Sequence, residues 1–329
     1  MAKKKVSFRG VPAAEVTARY RKCTLMFLLL HVIACLAVPV FLLLALLGRM
    51  SWFNAIFCAF TCLLLNWLIA AFRKFKLAEF SAVLNSDCDP VKLEKVFAPL
   101  DKTPQKLNDV TLNMIRALFY QGRWEEALER LQQAEKPKEK TPMYFQYYNM
   151  LSCCYEQAKD LEKLMAIQRK MQAAVNQLKP RSPHIGNGRQ LLTILDIMIA
   201  QLEGRISYCK TACKELYDQA SFALSRINVS LRLAQLEHLS GANHSAVTRC
   251  EYIIDDGGTT FYAEEARRLY VLCCGKDYVP EDERHTLPET LQDPDEDDED
   301  DWEDEDDWDD EDDESEEEES SGDEPDEEE

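Results

Sequence analysis

The sequence predicts an all-α, membrane-anchored chain, and three observations carry that reading. Two long charge-free apolar runs stand near the N-terminus, helical periodicity with internal repetition follows them, and the C-terminal end is almost wholly acidic. The expected architecture is an N-terminal transmembrane helical hairpin, a solenoid of stacked helical repeats and a disordered acidic tail. In residue terms, 1–24 is a basic N-terminal segment, 25–72 the two-helix hairpin and 73–107 a juxtamembrane helical linker. Residues 108–275 form the repeat domain, 276–292 a second linker and 293–329 the tail.

The hairpin follows from length. Leu25 to Leu47 carries no formal charge, and as a helix it measures roughly 34 Å against a hydrocarbon core of about 30 Å. Gly48-Arg49-Met50-Ser51 breaks the run, and Trp52 to Phe72 is long enough to span again. Neither run has the polar face that a buried globular hairpin needs. A secretory signal peptide has a shorter apolar core and lies closer to the N-terminus. Lys3, Lys4, Lys5, Arg9, Arg19, Arg21 and Lys22 precede the first run, and Arg73, Lys74 and Lys76 follow the second. Only Arg49 lies between. The positive-inside rule therefore places both termini in the cytoplasm and the turn outside. Asn228 and Asn243, although in glycosylation-type triplets, are then expected to stay unmodified.

Charge partitioning excludes one function class. The tail holds 29 Asp and Glu among its residues 293–329, and removing them from the net −21 leaves residues 1–292 at +8. Residues 1–72 account for +7 of this, so the middle of the chain is nearly neutral. A nucleic-acid-binding domain needs a basic stripe on its folded part, and none is present. The twelve cysteines fall mostly inside periodic apolar segments, which suits a reducing compartment and core packing. Their spacing matches no zinc pattern.

Residues 117–134 read ALFYQGRWEEALERLQQA: a helix, the turn residue Gly122, the aromatic Trp124, then small Ala127 facing the partner helix. This unit resembles the tetratricopeptide repeat (TPR). Looser copies are 154–171 with its turn at Lys159, 201–216 with Gly204 and Cys209, and 234–254 with Gly241 and Ala246. The small residues are expected to let neighbouring helices approach and stack. The resemblance implies that the first helix of each pair lines a concave groove for peptides or partner proteins. It nominates Arg116, Tyr120, Asn149 and Gln235 as partner-binding. The Lys/Asn clamp of chaperone-binding members is not found here.

No phosphate loop, nucleophile elbow or metalloprotease helix occurs, so no catalytic residue, metal or cofactor is expected and the chain is read as a non-enzyme. The function expected is that of a membrane-anchored, cytosol-facing scaffold that recruits unknown protein partners through its groove. The alternatives are an envelope or secretion assembly factor with chaperone-like action, and an electrostatic regulator. In the latter, the acidic tail binds basic proteins.

Overall fold

The computed structural model describes residues 6–103, 105–179 and 181–280, so the acidic tail and Lys3, Lys4 and Lys5 lie outside the described residues. Within them there are only helices and connecting segments, without a strand. Two helices are long and apolar enough to cross a membrane: α1 (Ala13–Leu46) and α2 (Trp52–Ala78), which pack against each other. Ser51 caps α2 by accepting from the Asn54 amide. From Leu25 onward most of their large apolar side chains project outward; Phe53 is 79% and Leu46 69% exposed, while Phe27, Ala34, Ala45 and Ala55 are buried.

The N-terminal part of α1 behaves differently. Val16 is wholly buried, and Tyr20 packs edge-on with Phe80 and Phe97, its ring centroid 5.2 Å from each of theirs. Phe8, ahead of the helix, stacks on Phe80 at 5.6 Å. The buried carboxylate of Asp87 accepts from Ser7 Oγ at 2.6 Å and from the Phe8 amide at 2.7 Å. Thr17 Oγ1 donates to the Val96 carbonyl at 3.1 Å. The segments read from sequence as a basic flank and a linker therefore enter one core. Phe80, Val83 and Leu84 come from the end of the α2 path and from α3 (Ala82–Asn85). Leu93, Val96 and Phe97 come from α4 (Pro90–Phe97).

The remaining helices form four hairpins and a closing helix. They are α5 (Asp109–Tyr120) with α6 (Trp124–Gln133), α7 (Pro142–Gln157) with α8 (Leu161–Asn176), α9 (Ile185–Leu202) with α10 (Ile206–Gln219), α11 (Ala223–Leu239) with α12 (Asn243–Asp256), and α13 (Phe261–Cys274). Within each hairpin the same turn recurs. Gly122, Lys159, Gly204 and Gly241 all have positive φ. The following residue (Arg123, Asp160, Arg205, Ala242) donates its amide to the carbonyl five positions back. This is the bond that ends a helix through a left-handed residue. Five residues past each turn, Ala127, Leu164, Cys209 and Ala246 are fully buried between the paired helices. Leu164 is a larger side chain at a position that is small in the other three hairpins, and it too is fully buried.

The last elements return to the first. Phe261 meets Phe119 at 5.7 Å and Tyr262 meets Tyr120 at 5.8 Å. The loop before α13 lies on the turn before α4, with Thr259 donating its amide to Cys88 O at 3.1 Å and its hydroxyl to Asp89 at 2.8 Å. Gly258 is needed there, because a Cβ would stand 2.5 Å from Cys88 O. One core thus joins the start of α1, α3 and α4 to α11–α13, and a second holds α5–α9 together. The buried thiols belong to this packing. Burial pushes Cys88, Cys154 and Cys250 up to about 12 and Cys213 to about 11, so they are inert as thiolates at neutral pH.

Candidate functional site

The first helix of every hairpin turns one face toward a common groove of about 960 Å³. Helix α5 shows how the sequence arranges this. Asp109, Leu112, Asn113, Arg116 and Tyr120 recur at helical spacing and line the groove, while Ile115, Leu118 and Phe119 on the other side are buried in the core. Asn108 starts the helix by accepting from the Val110 and Thr111 amides. Gln146 and Asn149 come from α7, Gln190 and Ile194 from α9, and Asn228 and Arg232 from α11. The second helices α6, α8 and α12 contribute nothing to the lining. One wall is made by Lys74, Leu77 and Ala78 of α2, with Tyr20 of α1 beside them. The ends of both apolar helices are therefore part of the groove.

The groove is rich in unused amides. Among the described residues, the side chains of Asn113, Gln146, Asn149, Gln190 and Asn228 line it without a hydrogen-bond partner. Each offers a donor and an acceptor to whatever enters.

Its two arginines differ. Arg232 is held by Glu156 of α7 through both carboxylate oxygens and donates to Gln201 Oε1 of α9 at 2.9 Å. Burial alone lowers the Arg232 pKa, but the adjacent Glu156 more than offsets this and the net shift is upward. Gln201 in turn donates to Gln235, completing a network that ties α7, α9 and α11 together. Arg116 has one neutral partner, Asn85 Oδ1 at 2.6 Å, and no carboxylate within salt-bridge distance among the described residues. Burial lowers its pKa, with only partial compensation from Tyr120 and Cys153. Burial likewise pushes Tyr120 up to about 12, so it enters the groove as a neutral hydroxyl.

Of the four partner-binding candidates, the structure brings Arg116, Tyr120 and Asn149 into one groove. Gln235 sits instead in the Arg232 network, where Gln201 occupies its acceptor. The residues nominated for repeat packing lie at the hairpin turns and between helices. Ala127, Cys209 and Ala246 are buried, Trp124 is half-buried against the second core, and Gly122, Gly204 and Gly241 make the turns. Sequence reasoning missed Asn85, Lys74 and the Glu156–Arg232 pair. Asn85 and Lys74 lie in the stretch read as a linker, and the pair joins residues 76 positions apart. Among the described residues no cluster of His, Cys, Asp and Glu has metal-binding geometry. No protein-family model, curated protein or solved structure matches the chain.

Proposed function

We propose that this protein is a two-pass membrane-anchored scaffold whose TPR-like solenoid faces the cytosol and holds an extended polypeptide in its groove. The observation that carries the reading is the row of unpartnered amides along α5, α7, α9 and α11. Side-chain amides pair with peptide N–H and C=O groups regardless of sequence, so such a row favours main-chain capture. The four identical turns support a repeat array. The exposed apolar surface of α1 and α2 supports a bilayer around them, since such a surface is costly in water. The basic flanks support cytoplasmic termini. An anchor confines the groove to the membrane surface and raises its effective concentration for partners there. Tyr20 and Lys74 in the groove wall also favour chaperone-like handling of chains emerging near the membrane, as a second reading.

A photo-crosslinking side chain at Gln146 in the full-length protein in cells tests the groove. Polypeptide adducts are expected at Gln146 and not at Gln172, which is exposed on the second helix α8. Equal labelling from both positions, or none from Gln146, sinks the reading. A thiol introduced at Met50 tests topology: labelling from outside intact cells is expected, and labelling only from the cytosolic side overturns the orientation.

A further inference from the structure

We infer that Arg116 with Asn85 forms a carboxylate site in the groove, taking an acidic side chain of the polypeptide bound there. The inference rests on the groove reading above and names the ligand chemistry within it.

A guanidinium withdrawn from water loses solvation that a counter-ion normally restores. For the groove's other arginine that counter-ion is built in, because Glu156 meets Arg232 through both oxygens. Of the other charged groups lining the groove, Lys74 and Asp109 offset each other in number, which leaves Arg116 uncompensated among the described lining residues. Its side chain is steered by a neutral acceptor, Asn85 Oδ1 at 2.6 Å, which positions the fork without neutralising it. Tyr120, one helical turn on and held neutral by burial, puts a hydroxyl donor on the same face and no competing charge. A planar five-donor group beside a hydroxyl donor suits a carboxylate, which can accept two parallel bonds from the fork.

Placement favours a polypeptide over a lipid headgroup as the source. Asn85 lies 13 positions past Phe72, where the apolar run ends, along a continuous helical path. At 1.5 Å per residue that is about 20 Å, whereas the headgroup layer extends about 5–7 Å beyond the hydrocarbon. The free amides of Asn113 and Asn149 flank the site on α5 and α7, as a peptide main chain requires.

The test uses the full-length protein in nanodiscs of zwitterionic lipid. Two fluorescein-labelled probes are compared by anisotropy: a short Ser/Leu/Glu peptide and the same peptide with Gln for each Glu. The Glu peptide is expected to bind at least about tenfold more tightly, a difference of about 1.4 kcal/mol. The preference should survive about 1 M salt, where the Debye length is about 3 Å and surface steering is screened. Arg116→Gln should abolish it, Arg116→Lys should reduce it by loss of the planar fork, and Arg21→Gln should leave it intact. Because Arg116 has no acidic partner among the described residues to strand, Arg116→Gln is expected to melt like the parent, and Arg116→Lys provides the reading if it does not. Equal binding of both peptides, a preference that persists in Arg116→Gln, or competition by anionic-lipid vesicles overturns the carboxylate site and leaves the groove reading standing. Failure of both peptides to bind, together with no adduct at Gln146, removes the groove reading itself.

Discussion

Helix α1 has two kinds of surroundings. Its first three turns meet protein, with Val16 and Tyr20 buried against Phe80 and Phe97. From Leu25 to Leu46 the same helix presents its leucines outward. The two regions teach different rules. In the outward region nearly every position is apolar, as the proposed bilayer requires, since lipid is apolar on all sides and no face needs to be distinguished. The inward region alternates polar and apolar residues, because one face meets the core while Arg19 and Glu15 pair on the other. There is no joint between the regions: one continuous helix carries the core into the proposed bilayer. With the bilayer placed as proposed, a groove built on that core would be held at a set height and orientation, not tethered on a flexible linker.

Substitutions that act on one region and spare the other should separate the two rules, and their effects can be ranked. The largest is expected from Val16→Asp, which places an unpaired carboxylate in the first core. A cost of roughly 3–5 kcal/mol should make residues 73–280 protease-sensitive while the chain still resists alkaline extraction from membranes. The converse, Leu29→Asp on the outward region, should cost about 2.5–3.5 kcal/mol of insertion and leave the melting of the inserted protein's cytosolic part unchanged. If either change disturbs both readouts equally, the division of α1 is wrong.

Next comes Asp87→Ala, which removes the acceptor shared by Ser7 and the Phe8 amide. Leaving that amide buried and unpaired should cost about 1–3 kcal/mol, read as a lower unfolding midpoint in urea without loss of membrane attachment. The smallest effect is expected away from α1, at Lys159. This residue holds φ 54° in an exposed turn whose three counterparts are glycine. A left-handed non-glycine residue costs about 1–2 kcal/mol, and glycine returns about 0.5–1 kcal/mol of that through its own entropy. Lys159→Gly should therefore stabilise by about 0.5 kcal/mol, seen as a small rise in midpoint. A fall there would show that the lysine side chain makes a contribution its exposure does not suggest.

How much of this was legible beforehand depends on how far apart the determinants lie. Gly122, Gly204 and Gly241 announce turns because a left-handed residue is a local requirement, and even Lys159 was placed by its position in the repeat. Ala127, Cys209 and Ala246 follow from the same local period. Arg116, Tyr120 and Asn149 reach one groove because all three stand on first helices. Gln235 also stands on a first helix, but Gln201 draws it into a network that no spacing rule reveals. The contacts that turn residues 6–24 and 73–107 into core join positions about 80 apart, such as Phe8 with Asp87 and Thr17 with Val96. Their sequence pattern, short and mixed, reads equally well as a flank and a linker.

The sequence by itself determined the all-helical class, the two apolar helices and the sites of the hairpin turns. Each of these depends on residues within one or two helical turns: a run of apolar side chains, a period, a residue tolerant of positive φ. Tertiary structure alone decided that the array curls back, so that α13 meets α5 and the loop before it covers the turn before α4. It alone decided that the end of α2 forms a wall of the groove and that Glu156 reaches Arg232 while, among the described residues, no carboxylate pairs with Arg116. Those outcomes depend on which distant surfaces find complementary shape and charge, and a residue's own neighbours in the chain carry no record of that.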